Sequence, residues 1–203
     1  SDTIDKMLPL FISIKIAALP TLLNISLDFN NSYNLPNILV AYIVCKYFKI
    51  PIKYFFESIK EFKGLPYRSL TIYNSKSKLI INNSKATNIS SALSSLNNKK
   101  NIFLILGGVA KETGFQKFVK YKKEIKKIYI YGKSRFIIKK QLNLFKISKT
   151  KKNLKDVVNI LWRDLSVIKD KVTIIFAPAC TSFDQFENFE KRGEYFNKII
   201  KKH

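Results

Sequence analysis

Several short stretches of this sequence carry residue types that do chemistry as well as pack. In Ser84-Lys85-Ala86-Thr87-Asn88 a cation and a hydroxyl stand two residues apart, a pair able to hold one carboxylate or phosphate together. The plainer reading is a solvated lysine with Thr87 capping a helix. In Leu106-Gly107-Gly108-Val109-Ala110-Lys111 two glycines follow an apolar run. Glycines there let a backbone approach a ligand, and the lysine adds positive charge, although a lone Gly-Gly usually marks only a tight turn. In Thr181-Ser182-Phe183-Asp184-Gln185 the Ser182 to Gln185 spacing is that of a capping box. A helix amino terminus opened by Ser182 would offer backbone N–H groups and a hydroxyl to an anion.

These motifs need elements to hold them at one place. From residue 100 onward apolar runs alternate with helical patterns: Ile102–Leu106, Ile128–Tyr131 and Val172–Phe176 are predicted strands. Helices are predicted over Thr113–Ile125, Ser134–Leu142 and Phe183–Lys201. The strongest stripe is Leu154, Val157, Val158, Leu161, Leu165 and Ile168, with Asn153 as its cap and Trp162 at its border as core. Ser69–Tyr73 and Lys78–Asn82 read as a hairpin around Asn74 and Ser75, and Ala86–Leu96 as a helix. Before them Asn34–Phe48 and Ile52–Phe62 suit two helices, the first buried through Ile38, Val40, Ala41, Val44, Cys45 and Phe48. Residues 1 to about 33 read as strand-like or irregular. Gly64-Leu65-Pro66 breaks the chain and marks the expected domain boundary. The result is an α/β architecture, a Rossmann-like sheet flanked by helices, whose ligands gather at the carboxyl ends of the strands.

Composition narrows the partners. The 203 residues carry a net charge of +23 and 46% hydrophobic residues, which suits a packed core rather than disorder. Lysines fall in short, scattered pairs with no basic tail, so compositional drift is favoured over a nucleic-acid groove. A nucleic-acid binder would instead show a contiguous lysine face free of the motifs above. Cys45 and Cys180 are far apart and form no metal or disulfide pattern, consistent with a reducing cytoplasm. The apolar stretch Leu8–Leu23 contains Lys15, Pro9 and Pro20 and is too broken to span a bilayer.

Four segments in order and spacing resemble the D-glutamate-adding Mur ligases. They are Asn34-Leu35-Pro36-Asn37; Gly64-Leu65-Pro66-Tyr67-Arg68; Asn83-Ser84-Lys85-Ala86-Thr87-Asn88; and Pro178 to Phe189, followed by Arg192-Gly193. The resemblance covers about residues 30 to 200 and implies a carboxy-terminal part of such a ligase. Residues 1–63 would end the central ATP-binding domain, and 64–203 would form the C-terminal domain. It implies D-glutamate contacts at Lys85, Thr87, Lys111, Ser182, Phe183 and Phe189. It also implies nucleotide contacts at Asn34, Asn37, Arg68 and Asn83, with capping as the plainer role of the asparagines. Tyr33 and Tyr67 stand where the family has His, and Asn83 where it has Asp.

The reaction so implied is ATP- and Mg²⁺-dependent amide formation between UDP-N-acetylmuramoyl-L-alanine and D-glutamate through an acyl phosphate. A monomer is expected, with neither nucleic acid nor membrane as partner. No catalytic base and no metal ligand is assigned within the chain. GxxxxGK[ST] occurs nowhere in it, so the chain alone is expected to be inactive. A non-catalytic remnant or binding module is the alternative, and a basic nucleic-acid binder ranks after it.

Overall fold

The computed structural model describes residues 35–62 and 64–202, and the chain divides between Lys63 and Gly64 into two compact units. The first contains α1 (Leu35–Tyr47) and α2 (Ile52–Glu61). α1 ends in a paired turn in which Ile50 N–H donates to Cys45 O (2.9 Å) and Lys49 N–H to Lys46 O (3.0 Å). Glycine usually fills the left-handed position of this motif; here Lys49 does, at φ 57°. Ile38 and Phe55 are buried together against Leu39, Tyr42 and Cys45. The expected buried face of α1 is therefore corrected: Val40, Val44 and Phe48 are exposed. Apolar residues occupy all sides of α1, so its pattern selects no face, and contact with Phe55 does.

The second unit is one five-stranded sheet: β1 (Leu70–Asn74), β2 (Lys78–Asn82), β3 (Ile102–Gly107), β4 (Ile125–Tyr131) and β5 (Val172–Phe176). The strand order is β1-β2-β5-β3-β4. β1 is antiparallel to β2, and the other pairings are parallel. The hairpin turn closes with Ser75 N–H donating to Lys78 O (2.8 Å).

Successive residues of the buried strands point to opposite faces, so each strand supplies two cores. Leu104, Leu106, Ile128, Ile130 and Ile175 face α3 (Ile89–Ser94), the 3-10 turn Phe115–Tyr121 and α4 (Arg135–Gln141). Phe103, Ile105, Tyr129, Ile174 and Phe176 face α5 (Leu154–Leu165) and α6 (Phe189–Ile200). Trp162 packs at the edge of this second core, with Lys78 Nζ 4.6 Å from its ring centre.

Three predicted helices are shorter in the structure. Ala86–Leu96 reduces to α3 because Asn88, not Thr87, is the cap, its side chain accepting from Ser91 N–H (2.8 Å). Thr113–Ile125 is only the 3-10 turn, since Ile125 already pairs with Ile102 at the start of β4. Phe183–Lys201 begins at Phe189, where Asn188 accepts from Lys191 N–H (2.7 Å). The readings for residues 1–33 lie outside the described residues. Among the described residues no helix is long and apolar enough to cross a membrane.

Candidate functional site

Insertion of β5 between β2 and β3 brings the carboxyl ends of three strands, and the motifs that follow them, side by side. The chain leaves β3 through Gly107 and Gly108, at φ 141° and 127°. A Cβ on Gly108 would lie 2.1 Å from Thr181 O, so only glycine lets these two loops touch. There Val109 N–H donates to Thr181 O (3.1 Å) and Thr181 N–H to Val109 O (3.0 Å). Ala110 N–H donates to Ser134 Oγ (2.9 Å). On the other side of Lys111, Glu112 Oε1 accepts from Ile89 N–H (2.6 Å) at the start of α3. The exposed Lys111 is thus carried on a turn fixed at both flanks.

Lys85 leaves the end of β2 half-buried, its Nζ 4.1 Å from the ring centre of Phe189. That contact joins two of the residues picked out in the sequence. Its backbone N–H donates to Tyr67 O (3.0 Å), and Thr87 N–H donates to Lys85 O (2.8 Å). Asn83 is buried, its side-chain amide donating to Ser95 Oγ (2.6 Å), so that amide is committed to the fold.

Ser182 is 3% exposed and Phe183 is 71% exposed. The capping-box reading is corrected: 181–188 is not α-helical. Gln185 turns away, its Oε1 accepting from Leu154 N–H (3.1 Å) and its Nε2 donating to Lys152 O (3.0 Å). The free N–H at the start of α5 outcompetes the one at Ser182, and Gln185 does the capping expected of Asn153, whose side chain makes no cap bond. Ser182 O instead accepts from Gln185 N–H (3.0 Å) and Phe186 N–H (2.9 Å). Ser182 therefore presents itself from a tight turn, and no helix amino terminus opens there.

Arg192 was visible in the sequence only as part of a motif, yet it ties the site together. It is wholly buried. Nε donates to Ser84 Oγ (3.0 Å), Nη2 to Ser84 O (2.7 Å) and Nη1 to Cys180 O (2.9 Å). Ser84 Oγ passes the connection on to Phe189 O (2.8 Å). One guanidinium thus locks the loop carrying Lys85 to the loop carrying Ser182, using the fork geometry that suits arginine. Beside it Asn82 donates to Gly193 O (2.9 Å) and Asn197 Oδ1 (2.7 Å). Its signal in sequence is position: Arg192, Phe196, Ile199 and Ile200 share one buried helix face. Burial also pushes the Cys180 thiol up to about 12, with Arg192 opposing part of the shift.

The nucleotide positions lie elsewhere. Asn34 falls outside the described residues, and Asn37 is exposed on α1 of the first unit. Arg68 is exposed ahead of β1, between Tyr67 and Ser69, which both have positive φ (60° and 52°). The structure thus brings Lys85, Thr87, the Lys111 turn, Ser182 and Phe189 to one end of the sheet. Among the described residues no group of three His, Cys, Asp or Glu could hold a metal.

This fold is that of the Mur ligases. The UDP-N-acetylmuramate-alanine ligase MurC of Thermotoga maritima superposes with a TM-score of 0.61 at 12% identity, over 85% of this chain and 37% of that one. MurF of Acinetobacter baumannii gives 0.62 at 13%, over 84% and 38%. In sequence the chain is similar to a carboxy-terminal piece of proteins named UDP-N-acetylmuramoylalanine–D-glutamate ligase. It is 35% identical over 177 residues to a UDP-N-acetylmuramoylalanine–D-glutamate ligase of Rickettsia felis, covering 87% of this chain and 39% of that protein. It is 36% identical over 172 residues to one of Hydrogenobaculum sp., covering 84% and 41%. The chain therefore spans about two fifths of the length of these relatives. No family model matches it.

Proposed function

We propose that the chain is the carboxy-terminal part of an ATP-dependent, cytoplasmic ligase that joins D-glutamate to UDP-N-acetylmuramoyl-L-alanine during peptidoglycan synthesis. In this reading residues 1–63 end the central ATP-binding domain, and 64–203 form the domain that holds D-glutamate. The observation that carries the reading is the junction at the carboxyl ends of β2, β3 and β5, where Arg192 binds the Ser84 and Cys180 backbones. It joins the loops that carry two lysines, a threonine and a serine.

Chemically, such a cluster binds and orients. Lys111 and Lys85 supply charge to the two carboxylates, Thr87 and Ser182 supply hydroxyls, and Phe183 and Phe189 wall the side chain. Lys85 is held ready by the Phe189 face, which lowers the ordering cost when ligand arrives. Fixing both carboxylates aims the amine at its electrophile, a proximity effect worth several kcal/mol. None of these groups is placed to act as a general base.

ATP and Mg²⁺ would complete the reaction, but the residues present do not by themselves fit either. The sequence has no phosphate loop, and the described residues form no carboxylate cluster. Only Asn34, Asn37 and Arg68 are offered as peripheral nucleotide contacts, because the Asn83 amide is bonded to Ser95. The chain by itself is accordingly inactive in this reading, and a monomer.

Titration of the ¹⁵N-labelled chain with D-glutamate, and with L-glutamate as control, tests the assignment. Saturable shifts at Lys85, Lys111 and Ser182, weakened about tenfold or more by Lys111→Ala, are expected. Identical responses in wild type, Lys111→Ala and Ser182→Ala would remove these residues from the site. A non-catalytic binding module would show the same binding, yet stay inactive when the remaining domains of a complete ligase are supplied.

A further inference from the structure

At the opposite end of the sheet the basic residues that look scattered in sequence converge. Lys126 and Lys127 stand at the start of β4, Lys146 on the strand-like segment beside it, Arg163 in the last turn of α5, and Lys171 just before β5. Together they line a cleft of about 500 Å³ with only Asp164 and Asp170 as opposing charges, an excess of three positive charges (five minus two). Six strand residues of β3 at ~3.3 Å each separate this end from the motif end by roughly 20 Å.

The cleft is shaped rather than merely basic. Asp164 Oδ2 accepts from both Lys127 Nζ (2.6 Å) and Tyr129 Oη (2.6 Å). Lys127 is thereby anchored and Asp164 largely neutralised, leaving Lys126, Lys146, Arg163 and Lys171 exposed at the rim. The carbonyl end of α5 brings some negative potential, which Arg163 offsets. Among the charged residues the lining also holds an exposed apolar strip, Val167 (81% exposed) and Ile168, beside the buried Phe103. A volume near 500 Å³ falls within the range of small-molecule sites, about 300–1,000 Å³, a size that suits a compact ligand.

We propose that this cleft is a second binding site, separate from the motif end, for a small phosphomonoester with an apolar body. The phosphate sits among Lys146, Arg163 and Lys171, and the apolar part lies on Val167 and Ile168.

The test uses the ¹⁵N-labelled chain at fixed ionic strength, titrated separately with inorganic phosphate and with phenyl phosphate. Both should give saturable shifts at Phe103, Asp164 and Lys171, with phenyl phosphate saturating at the lower concentration. K146E/R163E should weaken binding at least tenfold, while K201E/K202E at the exposed carboxyl end leaves it unchanged. Both substituted pairs are exposed; should circular dichroism show K146E/R163E unfolded, K146Q/R163Q replaces it with the same expectation. Shifts confined to Lys85 and Lys111, equal loss in K201E/K202E, or no preference for phenyl phosphate would each overturn the proposal. So would a single-stranded oligonucleotide that displaces phenyl phosphate at lower concentration than phenyl phosphate itself saturates, which would make the cleft part of a polynucleotide face.

Discussion

The side chain on which the motif end depends most is Arg192. Removing it leaves Ser84 Oγ and the Ser84 and Cys180 carbonyls without their charged donor in a buried place. Arg192→Ala should therefore destabilise the second unit by about 3 kcal/mol or more, read by urea unfolding. Arg192→Lys keeps the charge but cannot reach both loops, so it should rescue little of that loss. A near-wild-type midpoint for Arg192→Lys would show that charge, and not the fork, matters. Cys180 supplies a pH prediction. Its folded value is raised from 9.0 to about 12 by burial, so the fold favours the neutral thiol. That contribution is fully present below pH 9 and is lost as pH rises from 9 through 12. Thermal melts should show stability falling across that window, less steeply in Cys180→Ala if that variant folds. A thiol reagent at pH 8 should label half-buried Cys45 well before Cys180.

Among the elements, α1 and α3 carry their stability at their ends. Lys49 holds a left-handed conformation that glycine adopts without penalty, so Lys49→Gly should raise the stability of the first unit by about 0.5–1 kcal/mol. Loss of stability in that variant would mean that the lysine side chain contributes more than its backbone costs. For α3, the amino end is satisfied twice, by Asn88 and by Glu112 from the Lys111 turn. Asn88→Ala should cost about 1 kcal/mol. Tight packing limits α6 as well: a Cβ on Gly193 would lie 2.4 Å from the Tyr67 ring, so Gly193→Ala must displace the segment that carries Arg68. The same substitution should be tolerated in Tyr67→Ala, measured by the midpoint of the double variant.

For the molecule as a whole, the boundary between Lys63 and Gly64 sets Arg68 near the start of the second unit, with an exposed side chain. Under the proposed reading its guanidinium meets nucleotide only in the complete ligase. Arg68→Ala should leave the melting temperature of this chain within a degree or two and lower nucleotide use in the complete enzyme about tenfold, as loss of one charged contact does. Unfolding of the chain by that substitution, with turnover of the complete enzyme spared, would assign Arg68 to packing. Turnover by this chain alone, in rigorously purified material, would defeat the expectation that the phosphate-binding loop must come from elsewhere.

What the sequence determined by itself was set by near neighbours. The stripe Leu154, Val157, Val158, Leu161 and Leu165 is buried as its period requires, although the helix ends before its last expected member, Ile168, which is exposed; Val172–Phe176 is a strand; and the hairpin turns from Ser75, with Asn74 ending β1. The order of the motifs was also enough to mark the family. What only tertiary structure decided were choices between partners distant in the chain. Gln185 caps α5 instead of its own turn because α5 lies beside it. β5 enters between β2 and β3, which no local pattern encodes, and only that insertion assembles the motif end. Arg192 reaches Ser84 across 108 residues, and the cations of the far cleft gather from four separate segments. Periodicity reports which face of an element is apolar. Which polar group meets which is decided by whichever unsatisfied donor or acceptor the folded chain places within hydrogen-bond reach.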